Sequence, residues 1–198
     1  MTEVIISPAD APAAIPIHTV REAGWEAFAA AQAPAVRAAA ALAKFTARSG
    51  QLALVPNAEG GVERVLFGLA DGAEAMALRA LSAKVPPGDY VLAEVPGGMA
   101  VDQAALAWAI GAYRFDRYKQ KRGDPAPRLV APAGVDADEI RHVAHACALA
   151  RDMVNTPAND MGPRQVASIA HEIAELYGAS FGVIEGDALI EAGYPAVH

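Results

Sequence analysis

The sequence has almost no cysteine. Cys147 is the only one in 198 residues, so an intramolecular disulfide cannot form. Small secreted folds that depend on several disulfides are therefore excluded. A reducing compartment is the expected location of the protein.

Long hydrophobic runs are missing as well, and no basic residue precedes Arg21. The only apolar run near the start is Val4–Ile6. A transmembrane helix needs about 20 apolar residues, and a signal peptide needs an apolar core of about 7–15. We therefore expect neither element and predict a cytoplasmic protein.

Basic residues are fewer than acidic residues. The chain has 16 basic and 23 acidic residues, which give a net charge of −7. This balance disfavours nonspecific binding to nucleic acid or to anionic membranes.

Alanine, in contrast, is abundant, with 48 residues within a hydrophobic fraction of 54%. Such a composition is typical of a folded globular protein with closely packed helices.

Proline and glycine divide the first two thirds of the chain into alternating strand and helix patterns. The strands are predicted at residues 4–6, 15–17, 51–55, 62–69, 90–95 and 129–131. The loop that begins at Asn57, N-A-E-G-G, has a length and chemistry suited to a hairpin between 51–55 and 62–69. The helices are predicted at 22–45 with a break at Pro34, at 74–84, and at 102–118 with Asp102 as its cap. Because prolines flank the first two strands, we expect these to be brief or edge strands. The sequence predicts an α/β domain over residues 1–135, with a small mixed sheet flanked by helices.

A longer helix follows at residues 136–154. Asp136 and Glu139 have the spacing of a capping box, and apolar residues occur on two sides of the predicted helix. Such a helix suits a bridge between two domains. A helix from Pro163, a strand at 180–184 and a short helix at 187–192 then predict the first elements of a second, truncated α/β domain over residues 155–198.

The run R-D-M-V-N-T-P-A-N-D-M-G-P at 151–163 links these two regions. Its Asn, Thr and Asp side chains can bond to the backbone and its prolines fix the path, so physically it is a helix end entering a turn. It resembles the R-[DE]-L-V-N-x-P-[AP]-N stretch that opens the catalytic domain of the leucyl aminopeptidase (cytosol aminopeptidase) family. Residues 111–119, G-A-Y-R-F-D-R-Y-K, are similar to that family's G-x-Y-x-F-x-x-Y-K, and 187–196, D-A-L-I-E-A-G-Y-P-A, to its L-x-x-x-G-[YM]-x-[AG]. The resemblance is close over residues 105–198 and weak before them.

The resemblance implies a cytosolic hydrolase that removes N-terminal residues from peptides and assembles as a hexamer. In that family a lysine and several carboxylates hold two divalent metals, commonly zinc, manganese or magnesium. The family motif N-T-D-A-E-G-R is absent here, and no lysine follows Lys121. We therefore predict no catalytic, cofactor-binding or metal-binding residue in this chain, which would supply an assembly and access domain and be inactive alone. The residues also allow a stand-alone binding or regulatory module.

Two sets of residues have partial metal-ligand patterns. His171 and Glu172 begin an H-E-x-x-H motif, but Glu175 occupies the position of the second histidine, so we interpret them as a solvated helix face. Glu139, His142 and His145 recur every three residues near Cys147. The helical wheel points Cys147 away from His145, so the four are not expected to share one ion.

A basic cluster lies beside three aromatic residues, Tyr113, Phe115 and Tyr118. Its members are Arg114, Arg117, Lys119, Lys121 and Arg122. Nucleic-acid surfaces use this mixture, which leaves a nucleotide or nucleic-acid binder as a further hypothesis. Because basic residues in the last turn of a helix also oppose the helix dipole, we favour a domain or subunit contact.

Overall fold

The computed structural model describes residues 3–71, 75–94, 99–119 and 125–198. The strands are β1 (Ile5–Ile6), β2 (Ile15–Arg21), β3 (Leu52–Pro56), β4 (Val62–Leu69), β5 (Asp89–Leu92) and β6 (Arg128–Val130). The helices are α1 (Trp25–Ala30), α2 (Pro34–Leu42), α3 (Arg79–Ser82), α4 (Val101–Gly111), α5 (Ala137–Asn155), α6 (Pro163–Tyr177) and α7 (Ala188–Glu191). The chain divides into two compact units, Met1–Leu149 and Ala150–His198. In the described ranges, no helix has both the length and the apolar character needed to cross a membrane.

The six strands form one mixed sheet in the order β1-β6-β5-β2-β4-β3. All neighbours pair in parallel except β3, which runs antiparallel to β4 at one edge. The predicted mixed sheet flanked by helices is thus confirmed. The predicted hairpin is also present, and its turn is fixed by Asn57, whose Oδ1 accepts the amides of Glu59 and Gly61 at 3.0 and 2.7 Å.

The expectation that the second strand is brief or at an edge is wrong. β2 is seven residues long and lies between β5 and β4. Successive residues of a strand direct their backbone groups to opposite sides. Because the Ile17 carbonyl accepts from the Ala93 amide on the β5 side, the nitrogen of Pro16 points to the opposite side, toward β4. Pairing with β4 begins only at Ile17, and no ladder bond is lost at the proline.

Each face of the sheet carries its own core. One core joins the sheet to α4 and contains Ile17, Phe67, Tyr90 and Trp108, all 1% exposed or less. The Tyr90 hydroxyl donates to the Pro86 carbonyl at 2.8 Å, and burial raises the pKa of Tyr90 to about 12. The second core, on the opposite face, packs α2 against β2, β3 and β4. The large side chains in these cores thus bury the apolar area that the alanine side chains of the helices are too small to provide.

Helix α4 is shorter than predicted. It begins at Val101 with Ala100 as its N-cap, so Asp102 lies in the first turn and is not the cap. It ends at Gly111, seven residues before the predicted end at Tyr118. A turn over Asp116–Lys119 follows, closed by the Lys119 amide on the Asp116 carbonyl at 3.1 Å. The aromatic rings of Phe115 and Tyr118 contact each other across this turn, a contact that their spacing also allows in a helix.

Helix α5 begins where the sequence predicts. The Asp136 carboxylate accepts the amides of Asp138 and Glu139 at 3.0 and 3.1 Å. The buried residues are Ile140, Ala144 and Ala148, a narrower stripe than the two apolar sides predicted. Arg141 ties the helix to the start of β1, because its guanidinium donates to the Ile5 carbonyl at 3.0 Å and pairs with Glu3 at 2.8 Å.

In residues 150–198, helices α6 and α7 form as predicted, but the predicted strand at 180–184 does not. These residues lie in no regular element. A strand needs a partner strand to satisfy its backbone, and no described residue provides one. β-branched content alone was therefore insufficient to make a strand.

Candidate functional site

The motif at 151–163 forms a structural connector. Thr156 is 5% exposed, and its hydroxyl and amide both donate to the Asp152 carbonyl, at 2.6 and 2.9 Å. The amides of Asp160 and Met161 donate to the Pro157 carbonyl. The Gly162 amide donates to Gln165 Oε1 at 3.1 Å, and Pro163 starts α6. Within this connector the Thr156 side chain thus bonds to the backbone at the end of α5.

The partial H-E-x-x-H motif lies on an exposed face of α6. His171 Nε2 is 3.8 Å from the Glu175 carboxylate, and the His171 ring contacts Phe181 with a centroid distance of 5.0 Å. Glu172 accepts a hydrogen bond from the Ser168 hydroxyl at 3.3 Å. The glutamates therefore have partners along their own helix, as predicted for a solvated face.

The second set of potential ligands is spread over the surface of α5. Glu139, His142 and His145 are exposed, whereas Cys147 is half-buried. Across residues 3–71, 75–94, 99–119 and 125–198, no three His, Cys, Asp or Glu side chains converge as metal ligands. The described residues thus do not fit the two-metal centre that the resemblance implies, and no catalytic step is derived through it.

The described members of the basic cluster, Arg114, Arg117 and Lys119, do not lie on a helix, because α4 ends at Gly111. Arg114, Arg117 and Lys119 are exposed, and Lys119 pairs with Asp116 at 2.6 Å. Lys121 and Arg122 lie outside the described residues. For Arg114, Arg117 and Lys119, the expectation that they lie in the last turn of a helix and oppose its dipole is therefore wrong.

The sheet also brings together charged residues that the sequence did not indicate as a group. His18 on β2 is opposite Leu66 on β4, so Arg64, two residues earlier, lies on the same face. His18 also contacts the Phe28 ring, with a centroid distance of 5.8 Å. Burial and the charge of Arg64 lower the pKa of His18, and Glu94 offsets this in part. Only the strand register reveals this pairing, since 45 residues separate the two positions in the sequence.

A pH dependence of stability follows from His18. Its lowered pKa means that the unfolded chain binds a proton more readily than the folded chain as the pH falls below about 6.5. We expect the free energy of unfolding to decrease as acid is added below this value, and His18→Gln to remove part of the decrease. Urea unfolding of both proteins at pH 7.5 and 5.5 measures the effect. Equal pH dependence in the two proteins would contradict the role given to His18.

Exposed apolar residues follow the connector at 151–163 along the chain. The two large buried cores lie in the first unit, Met1–Leu149. An ion pair joins two strands of that unit, with Arg128 donating to both oxygens of Asp89 at 2.6 and 2.8 Å. The same hydrogen bonds raise the pKa of Arg128 above its ordinary value. This unit thus combines a packed sheet with an ion pair between neighbouring strands.

Comparisons with known proteins find a family domain within the first unit. The model of the M17 aminopeptidase N-terminal domain matches residues 15–132, from β2 to just beyond β6. A protein named "Probable cytosol aminopeptidase" from Syntrophotalea carbinolica is 33% identical over 147 residues, which are 66% of this chain and 29% of the relative.

Two solved structures extend the likeness to the second unit. The cytosol aminopeptidase of Coxiella burnetii superposes with a TM-score of 0.80 at 27% identity, over 93% of this chain and 40% of that chain. The bottromycin maturation enzyme BotP in complex with Mn superposes with a TM-score of 0.70 at 27% identity, over 91% of this chain and 40% of that chain. The chain thus spans less than half the length of these relatives. It belongs to the M17 aminopeptidase family and carries that family's N-terminal domain.

Proposed function

We propose that this chain is the non-catalytic portion of a metal-dependent aminopeptidase that releases N-terminal residues, of the leucine type, from peptides. Residues 1–135 would be the assembly and access domain, 136–154 the bridging helix and 155–198 the opening of the catalytic domain. The whole enzyme would be a cytoplasmic homo-oligomer, with a hexamer as the expected state.

The observation that carries this proposal is the match of the M17 N-terminal domain to residues 15–132. The likeness of a cytosol aminopeptidase over 93% of the chain supports the assignment of residues beyond that domain. The sheet and helices of the first unit are held together by buried apolar contacts, as an independently folding accessory domain requires.

The enzyme would use two divalent metals, with zinc, manganese or magnesium as the candidates. BotP, one of the similar structures, was determined with Mn, and this supports manganese among the three. A pair of metals activates water and polarises a peptide carbonyl. We place the lysine and carboxylate ligands outside this chain, because no described side chains here form such a set.

Aminopeptidase assays test the proposal. With added Mn²⁺ or Zn²⁺, the isolated chain should hydrolyse leucine amide substrates no faster than a metal-only control. The protein purified from its native source should hydrolyse them in a metal-dependent manner and lose the activity with a chelator. Turnover by the isolated chain at an enzyme-like rate, on the order of 1–1000 per second, would contradict the assignment of the chain as non-catalytic.

The same assay distinguishes the alternative of a stand-alone binding or regulatory module. A native protein that ends at His198 and shows no peptidase activity would favour that module. Salt-dependent retention on a polyanion column, lost when Lys119, Lys121 and Arg122 are neutralised, would instead favour a nucleic-acid binder.

A further inference from the structure

Strand β3 forms one edge of the sheet, and the outer side of its backbone is unpaired. It pairs with β4 alone. The Gly68 amide of β4 donates to the Gln51 carbonyl, and the backbone groups of successive residues point to opposite sides of a strand. The amides and carbonyls of Leu52 and Leu54 therefore point away from β4. No described residue forms a hydrogen bond with these outward groups.

The opposite edge of the sheet is closed to a further strand, whereas β3 is open. At β1, the Arg141 guanidinium donates to the outward carbonyl of Ile5 at 3.0 Å. A charged side chain at an edge strand is a common protection against pairing with another chain. The sequence of β3, L-A-L-V-P, has no charge, and Leu54 is 38% exposed. Only Pro56, which lacks an amide donor, limits the open edge, to residues 52–55.

We propose that β3 pairs antiparallel with β3 of a second copy of this chain, so that two six-stranded sheets join across a two-fold axis. The axis would pass between the Ala53 residues of the two copies. Leu52 of each copy would form a hydrogen-bonded pair with Leu54 of the other, which satisfies all the outward groups named above. The exposed Leu54 side chain would then pack across from Leu52, as an apolar cross-strand pair. This inference rests on the homo-oligomer of the proposed function and names one surface through which its copies meet.

Charge complementarity favours a second copy as the occupant. The segment just before β3 has two exposed basic side chains, Lys44 and Arg48, whereas the hairpin turn after β3 has the exposed Glu59. Arg48 has one long contact within the chain, 3.7 Å to the exposed Glu22. In an antiparallel pair, the start of each strand lies beside the end of the other, so basic segment and acidic turn would meet at both ends. A parallel pair would bring like charges together, which opposes association.

The substitution Leu54→Lys tests the interface through its effect on association. In sedimentation experiments the unsubstituted 198-residue chain should form a dimer, with twice the chain mass of 20.4 kDa, that dissociates on dilution. A charge placed in the open edge should raise the dissociation constant of the dimer by about tenfold or more. Met76→Lys is the matched control, because Met76 is 39% exposed and lies outside β3, in the helical turn Ala75–Leu78. It should leave the dissociation constant unchanged.

Two results of this experiment would overturn the proposal. One is an unsubstituted chain that stays monomeric at about 100 μM, a concentration that populates any dimer of micromolar affinity. The other is a Leu54→Lys variant that associates as well as the Met76→Lys variant.

Hydrogen exchange identifies the surface without any substitution, and so covers a variant that does not fold. The amides of Leu52 and Leu54 should be protected in concentrated samples and exchange rapidly after dilution, while the Ala53 amide, which faces β4, stays protected in both. Rapid exchange of Leu52 and Leu54 at both concentrations would overturn the interface, even if copies associate elsewhere. Protection of these two amides in a monomeric sample would overturn the second copy as the occupant. Leucine amide hydrolysis by the native-length protein reports the proposed function separately.

Discussion

Replacing Gly111 with alanine is expected to lower the free energy of unfolding by about 3 kcal/mol or more, the upper part of the range for overpacking. An added Cβ would lie 2.0 Å from the Arg79 carbonyl oxygen and 2.4 Å from Ser82 Oγ. The carbonyl belongs to the backbone of α3, which packs directly on α4, so it cannot move aside without shifting the helix. The intrinsic gain from replacing glycine by alanine in a helix is about 0.5–1 kcal/mol. The steric cost therefore exceeds the propensity gain.

Gly24 provides the matched control for this substitution. A Cβ at Gly24 would meet no atom within 4 Å, so Gly24→Ala should change stability by less than about 0.5 kcal/mol. Urea unfolding followed by circular dichroism measures both variants. Equal stability of the Gly111→Ala variant and the unsubstituted protein would show that α3 and α4 do not approach as closely as the structure has them.

Truncation of Trp108 to alanine is expected to cost about 3–5 kcal/mol, the range for a large aromatic residue in a core. Trp108 is 1% exposed and packs on Tyr90 with a ring centroid distance of 5.6 Å. It joins α4 to β5 at the centre of the larger core. A cavity at this position would leave Tyr90 without its aromatic neighbour.

Substituting phenylalanine for Trp108 distinguishes the contribution of ring packing from the cost of the unpaired indole nitrogen. The buried Nε1 of Trp108 has no hydrogen-bond partner among the described residues, and an unpaired buried donor costs about 1–3 kcal/mol. Trp108→Phe removes this cost while keeping most of the ring contact, so it should lose less than half of what Trp108→Ala loses. Equal losses of stability in the two variants would instead indicate that the indole nitrogen has a hydrogen-bond partner.

Local signals predicted the elements whose structure depends on neighbouring residues. The Asn57 turn between β3 and β4, the Asp136 cap of α5 and the Pro163 start of α6 all follow from short-range backbone chemistry. Pro16 misled the prediction of an edge strand, because the side on which its missing amide falls depends on the register with β4 and β5. Residues 180–184 were predicted as a strand from their composition, but they form none, since a strand also requires a partner strand.

The family could be predicted from the connector at 151–163, where the Thr156 hydroxyl bonds to the Asp152 carbonyl and Pro163 starts α6. The short motifs make the resemblance close only over residues 105–198, whereas the model of the M17 N-terminal domain matches 15–132. The pairing of His18 with Arg64 was also beyond sequence reasoning, because it arises only from the register of β2 with β4.

The intact mass of the protein from its native source tests the central claim most directly. If the chain is the accessory domain and the opening of the catalytic domain of an M17 aminopeptidase, the native mass should be two to four times the 20.4 kDa of these residues, because the aligned parts of the chain, 66% and 93% of it, cover only 29% and 40% of the two relatives. A native mass of 20.4 kDa would contradict it and leave a free-standing module of the family's N-terminal fold.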